Sequence, residues 1–155
     1  MLQRIQTIYL LIIVILSGVT LFSPVADLIN NTNMAMYIMS YKGIFLQSAT
    51  GNVYQSGVWG LTAIGAIVPV IALITMFLYK RRILQVRLSI FNMVLMAGYY
   101  ALLFIYIWFA GQNLHTDWSL RIVTAFPLVN IVFNILAIRA IGKDEALVRS
   151  LNRIR

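Results

Sequence analysis

The chain has 155 residues, of which 61% are apolar and only 10% are charged. Soluble domains carry roughly 25% charged residues, and a globule this small has too little interior to hide so much apolar surface. The composition therefore excludes an ordinary soluble fold and predicts one domain, residues 1–155, with the lipid bilayer as its solvent. The net charge of +8 is explained by the Lys and Arg excess of cytoplasmic membrane-protein segments, so we expect no nucleic-acid partner.

Four apolar runs in the chain are long enough to cross a bilayer, which takes about 20 residues. They cover residues 5–22, 58–79, 88–110 and 121–141. We interpret the first as a signal anchor rather than a cleaved signal peptide, because no small-x-small cleavage site follows it. Trp59 and Tyr79 stand at the two edges of the second run, as interface anchors do, and Pro69 near its centre predicts a mild kink.

The long polar segment between the first two runs, residues 23–57, is the outer loop. Turn signals at Lys42-Gly43 and Gly51-Asn52 separate short stretches rich in aromatic and β-branched residues, which is the pattern of a small antiparallel sheet of two or three strands. Residues 111–120 are interpreted as a short polar link. The predicted fold class is an all-α membrane protein: a four-transmembrane-helix bundle with a possible small β-sheet in the outer loop.

The distribution of positive charge predicts the orientation of the bundle. Of the twelve Lys and Arg residues, only Lys42 and Arg121 lie on the side of the outer loop. The other ten lie in the N-terminal segment, the basic turn at residues 79–87 and the C-terminal tail. Under the positive-inside rule both termini and the basic turn are cytoplasmic, and the outer loop is on the opposite side.

Polar residues recur at helical spacing in the last two spans. Asn92 and Tyr99 in span three, with Asn130 and Asn134 in span four, lie on stripes of alternating three- and four-residue steps, which predicts an antiparallel helix contact with hydrogen bonds across it. The alternative is a polar pathway for an ion or small solute. Transport sites usually carry an ionisable group at mid-membrane, and the absence of one in these stripes favours packing contacts.

No arrangement of residues in the sequence predicts catalysis or metal binding. His115 is the single histidine, and the four acids are split between the two sides of the membrane, whereas a metal site needs three or four ligands and acid–base catalysis needs convergent groups. The chain has no cysteine, which excludes thiolate chemistry. We therefore expect a protein that is not an enzyme and holds no cofactor.

The cytoplasmic tail, residues 142–155, and Arg139 shortly before it carry the candidate contact residues. From Asp144 onward, apolar residues recur at helical spacing, with arginines on the opposite face, so the pattern predicts a short amphipathic helix after span four. The candidate contacts with a protein partner or anionic lipid are Arg139, Lys143, Asp144, Glu145, Arg149 and Arg153. Acids precede the arginines, the order that a helix dipole prefers.

Three cytoplasmic segments also carry a family resemblance: residues 1–10, residues 84–88 and, above all, the run Ala137 to Glu145 with its continuation to Arg155. In these segments the chain resembles small four-span inner-membrane proteins of Bacteroidota that form a family of unknown function, DUF4293. The resemblance implies a bacterial cytoplasmic membrane location and supplies no activity, substrate or cofactor.

Two hypotheses of function follow from the sequence. The first is a non-catalytic integral membrane protein whose basic cytoplasmic face engages a protein partner or anionic lipid, because the motif-like segments are cytoplasmic. The second is a small transporter or channel that uses the polar residues of spans three and four.

Overall fold

The computed structural model describes residues 2–30, 34–48, 51–79 and 81–153. Within these ranges, side chains are described from residue 5 to residue 144. In chain order the elements are α1 (Leu2–Phe22), β1 (Ala26–Asn30), β2 (Ala35–Ser40), β3 (Gly43–Ser48), β4 (Gly51–Ser56), α2 (Trp59–Phe77), α3 (Arg82–Leu114), β5 (Asp117–Leu120) and α4 (Phe126–Arg153). A short 3-10 helix, Ile122–Ala125, leads into α4.

The four helices form a ring in which α1 packs against α2 and α4, and α3 packs against α2 and α4. Each helix contains a stretch long and apolar enough to cross a membrane. Large apolar side chains are exposed along the outer faces of all four, for example Ile8 at 53% and Val94 at 62%. Water would disfavour such faces and a bilayer would solvate them, so the helical part is consistent with a membrane protein.

The predicted all-α fold class is wrong, because the chain also forms a five-stranded antiparallel sheet in the order β4-β3-β2-β1-β5. Strands β1 to β4 form a meander within the outer loop, and β5 comes from the segment between α3 and α4. The small sheet considered for the outer loop is therefore larger than expected, and the molecule is a mixed helix and sheet structure.

The sheet is stable because one of its faces packs on helices. In β1 the alternate residues Ala26 and Leu28 are buried, and they share an apolar cluster with Leu103 and Ile107 of α3. The 33 residues of α3 span about 50 Å at 1.5 Å per residue, against a bilayer core of about 30 Å. The C-terminal half of α3, which includes Leu103 and Ile107, provides part of the surface that covers the sheet.

Gly43 sets the turn between β2 and β3. Its φ is +141°, and a Cβ placed there would lie 2.6 Å from the backbone oxygen of Ser56. Ser40 and Gly43 are paired in the ladder, so the hairpin turn is the predicted Lys42-Gly43 region, with Tyr41 and Lys42 as its two loop residues. Only glycine combines this backbone conformation with so close an approach.

An ion pair fastens β1 to the start of α4. The Arg121 guanidinium donates to both carboxylate oxygens of Asp27, with Nε to Oδ2 and Nη2 to Oδ1 at 2.8 Å. This hydrogen bonding is the main cause that raises the pKa of Arg121 above its ordinary value. The backbone oxygen of Val25 accepts from the Arg121 amide at 3.1 Å and from the Thr124 hydroxyl at 2.6 Å. Together these bonds join the two loops at the sheet end of the bundle.

At the end of the bundle away from the sheet, the helix boundaries differ from those predicted for the spans. α3 begins at Arg82 rather than at residue 88, so most of the predicted basic turn is helical. The tail is helical through Arg153, as a direct continuation of α4 rather than a separate helix. Residues 154 and 155 lie outside the described part of the chain. α2 is a single helix that includes Pro69.

Candidate functional site

The basic end of the bundle is the end at which α1 and α3 begin and α2 and α4 finish. Arg82 and Asp144 form an ion pair there, with Nη2 and Oδ2 2.8 Å apart. The pair places the first turn of α3 beside the last turns of α4. Asp144 is paired with Arg82. None of the other described cations at this end forms an ion pair with a described acidic side chain.

Among the described side chains, four cations are exposed at the basic end. They are Arg81, Arg87, Arg139 and Lys143. Of the predicted contact residues, the structure thus exposes Arg139 and Lys143 and pairs Asp144 with Arg82. The backbone of Glu145, Arg149 and Arg153 is helical, and their side chains lie outside the described set.

The four predicted intramembrane residues are all buried. Asn92 and Asn130 are 1% exposed, Asn134 is 0% and Tyr99 is 5%. Tyr99 and Asn130 line one cavity, which agrees with the depth match expected for antiparallel spans. The structure gives one side-chain bond within this set of asparagines: Asn134 Nδ2 donates to the Met96 sulfur at 3.9 Å, a weak acceptor.

Three further buried polar residues extend this stripe toward the basic end, and sequence reasoning missed them. Gln6 is 5% exposed, Gln85 2% and Ser89 1%. Gln85, Ser89 and Asn92 follow each other at four- and three-residue steps, so the predicted stripe continues backward along α3. Gln85 was missed because the third span was expected to begin at residue 88, whereas Ser89 and Gln6 lie within the expected spans and were not recognised as part of a buried polar face. We call Gln6, Gln85, Ser89, Asn92, Asn130 and Asn134 the polar column.

The polar column contains side-chain atoms with no protein hydrogen-bond partner among the described residues. They include Gln6 Nε2, Gln85 Oε1, Ser89 Oγ, Asn92 Oδ1, Asn134 Oδ1, and both Oδ1 and Nδ2 of Asn130. Several buried hydroxyls of the helices are instead satisfied within their own helix: Ser17 donates to the Ile13 oxygen at 2.6 Å and Thr75 to the Ile71 oxygen at 2.7 Å. Outside the column, the buried Thr116 hydroxyl near the sheet also lacks a hydrogen-bond partner, but most of the unpartnered buried atoms among the described residues belong to the column.

Two cavities flank this interior. One of about 20 Å³ is lined by Ser17, Thr20, Leu21, Gly65, Val68, Met96, Tyr99, Pro127 and Asn130. The other, of about 400 Å³, is an open cleft between the end of the sheet and the last turns of α3, with Gln55, Tyr106, Phe109 and Asn113 among its lining residues. The second has the volume of a small-molecule pocket, but its described lining carries no charged group.

His115 has a structural position. It adopts the left-handed conformation with φ of 48°, and its backbone N–H donates to the Gly111 oxygen, which caps the end of α3. Left-handed residues commonly terminate helices in this way. No group of three or more potential metal ligands occurs among the described residues.

The architecture defines the class of protein, a mixed helix and sheet molecule. Its four helices are long and apolar enough to cross a membrane, the sheet lies at one end of them, and the opposite end is basic. The comparison with protein families then gives the assignment. Residues 2–154 match a domain of unknown function, DUF4293, so the chain belongs to the DUF4293 family. No curated protein matches it.

Proposed function

We propose that the protein is a non-catalytic integral protein of a bacterial cytoplasmic membrane whose basic end binds anionic lipid headgroups. The proposal includes four spans, both termini in the cytoplasm and the sheet on the outer side. The observation that carries it is the ion pair of Arg82 with Asp144, because it neutralises Asp144 and leaves cations as the exposed charged groups among the described side chains of the basic end.

The charge distribution supports this orientation. The exposed cations Arg81, Arg87, Arg139 and Lys143 lie at the basic end, whereas Lys42 and Arg121 lie with the sheet, where Arg121 is neutralised by Asp27. Cytoplasmic segments keep such an excess of Lys and Arg. The cytoplasmic leaflet carries negative surface potential, so each exposed cation near it contributes about 1 kcal/mol of attraction.

The state of the acids supports a non-catalytic role. A general base needs a carboxylate that can approach a substrate proton. Asp27 and Asp144 are both held by arginines at 2.8 Å, at opposite ends of the bundle. Neither is placed to exchange a proton with a substrate, and the exposed groups at the basic end are cations suited to binding phosphate oxygens.

Lipid selectivity tests the proposal directly. The wild type and the double variant Arg139→Gln/Lys143→Gln are placed in phosphatidylcholine nanodiscs, and association of spin-labelled phosphatidylglycerol is measured by electron paramagnetic resonance. Loss of two cations worth about 1 kcal/mol each lowers the relative association constant by up to about 30-fold. Lys42→Gln, which removes one exposed charge at the sheet end, is the matched control and should leave the association unchanged.

Equal phosphatidylglycerol association for wild type and double variant would refute lipid binding by this surface. A protein that co-purifies with the wild type and is lost from the double variant, while lipid selectivity stays the same, would show that the basic end binds a protein instead. An equal loss in Lys42→Gln would show a general effect of net charge and would also contradict the proposal.

A further inference from the structure

The unpartnered atoms of the polar column are too costly to be left without hydrogen bonds. A buried polar group without a hydrogen-bond partner destabilises the folded state. Six residues contribute such atoms, and folded proteins are too marginally stable to leave all of them unpaired. In the interior of a membrane-embedded bundle, bulk water cannot relieve that cost. The column therefore needs an occupant that donates and accepts hydrogen bonds.

The residues of the column are spread in depth, starting from the basic end. Gln6 is in the second turn of α1 and Gln85 in the first turn of α3, so both lie close to that end. Ser89 and Asn92 follow on the buried face of α3, and 14 residues separate Gln85 from Tyr99, a rise of about 21 Å. Asn134 adds a second amide from α4 close to Met96.

The inner end of the column is the cavity at Asn130. This residue is 1% exposed, and neither its oxygen nor its nitrogen has a protein partner among the described residues. The cavity it lines measures about 20 Å³, and one water molecule needs about 10–15 Å³ of such volume and two to four polar partners. The site is therefore large enough for one water molecule and too small for a larger solute.

Beyond Tyr99 an apolar cluster fills the space between α3 and the sheet. Tyr99 and Leu103 of α3 join Val25, Leu28 and Met39 of the sheet region in one buried cluster. A smaller cavity of about 10 Å³ lies in that direction, lined mainly by apolar and aromatic side chains. This cluster closes the column toward the sheet, whereas the polar residues continue toward the basic end.

We propose that the polar column holds a file of water molecules that enters from the basic end and stops at a water-binding site formed by Asn130. Neutral amide and hydroxyl groups line the file, so it offers no counter-charge to an ion. The inference rests on the proposed membrane position of the four helices and goes beyond the proposed binding of lipid headgroups, on which it does not depend. It also gives the buried asparagines a role different from both a dry helix contact and a solute pathway through the membrane.

Two buried methionines allow the inference to be tested within one molecule. Met96 is 1% exposed and adjoins the column, because its sulfur accepts from Asn134 and it lines the cavity at Asn130. Met39 is 0% exposed and lies in the apolar cluster under the sheet, away from the column. Short X-ray pulses form hydroxyl radicals from water near the residues they oxidise, and methionine is converted to its sulfoxide. In full-length protein in nanodiscs, mass spectrometry of each peptide should show Met96 oxidised several-fold faster than Met39.

A variant then locates the water site. Asn130→Leu replaces the unpartnered amide with an apolar side chain of similar size and should lower Met96 oxidation toward the Met39 rate. Asn113→Leu, an equivalent substitution at an exposed residue of the outer cleft, should leave both rates as in the wild type. The ratio of the Met96 and Met39 oxidation rates is measured in the wild type and needs no variant. The test of the hydrated column therefore stands even if Asn130→Leu folds poorly.

Equal oxidation of Met96 and Met39 in the wild type, whether slow or fast, would overturn the hydrated column. Unchanged Met96 oxidation in well-folded Asn130→Leu would overturn the assignment of the water site to Asn130. Osmotic swelling of proteoliposomes tests whether the column is closed toward the sheet. We expect a water permeability equal to that of protein-free vesicles. A clear increase in permeability would contradict closure by the apolar cluster.

Discussion

The ion pair between Asp27 and Arg121 should contribute measurably to stability, although it lies near the surface. The two side chains are 18% and 36% exposed, and the Arg121 Nε and Nη2 atoms make three contacts of 2.8–3.0 Å with the carboxylate. Fully exposed pairs contribute up to about 1 kcal/mol, whereas hydrogen bonds to charged groups contribute about 1.5–3 kcal/mol. For this partly buried bidentate pair we expect Asp27→Asn to cost about 1.5 kcal/mol.

Thermal unfolding in detergent checks this value. For a chain of this size, a loss of about 1.5 kcal/mol lowers Tm by about 3–6 °C. Intrinsic tryptophan fluorescence is a suitable signal, because Trp118 lies on β5 opposite Leu28 of β1 and reports directly on this part of the sheet. Arg81→Gln removes one exposed cation at the basic end, far from the pair, and should leave Tm within about 1 °C because isolated surface charges contribute little.

A double-mutant cycle separates the pair from other effects of each substitution. Asp27→Asn, Arg121→Gln and the combined variant should show a coupling of about 1 kcal/mol, since residues in direct contact are not additive. The reasoning is refuted if the losses of the two single variants add within about 0.3 kcal/mol, the range seen for independent sites. In that case the bidentate contact contributes nothing beyond the separate side chains.

Two further predictions test the sheet and the orientation. Gly43→Ala should destabilise the protein by about 1–3 kcal/mol, because alanine would be strained at φ +141° and would meet the Ser56 oxygen. Gly51→Ala, at φ +130° with open space, should cost less in the same thermal assay, and an equal cost would show that the close contact is unimportant. For orientation, the chain has no cysteine, so single cysteines can be introduced at two exposed positions: an impermeant maleimide should label Val53→Cys in intact cells and spare Arg81→Cys. Labelling of Arg81→Cys alone would reverse the proposed topology.

The helices could be predicted from sequence because each depends on a local property. A run of apolar residues long enough for a bilayer identifies the segment whatever its neighbours are, and the spacing of Asn92, Met96 and Tyr99 identifies the buried face of α3. A local signal also located the first hairpin turn, at Lys42-Gly43, whereas the predicted turn at Gly51-Asn52 is wrong because both residues belong to β4. The family resemblance was confirmed over residues 2–154.

The rest of the sheet could not be predicted, because it depends on contacts distant in sequence. β5 has four exposed residues and no pattern of its own; it is a strand because β1, about ninety residues earlier, offers an edge. Asp27 and Arg121 are likewise 94 positions apart, and no local sequence pattern around either residue indicates that the two form an ion pair. Gln85 was missed for a different reason: a polar residue next to a basic turn is ordinarily interpreted as solvent-exposed, and only the extension of α3 to Arg82 buries it.

The position of β5 has a consequence for the order in which the protein folds during synthesis. Strands β1 to β4 leave the ribosome before α2 and α3, so three of their ladders can form early from adjacent segments. The outer edge of β1 has to wait until Asp117 to Leu120 arrive, and until then it presents unpaired backbone groups to any other strand. Non-local pairings of this kind form slowly. Pairing of β5 with β1, which requires the segment between α3 and α4 to be synthesised, therefore covers the free edge of β1 and removes it as a site of aggregation.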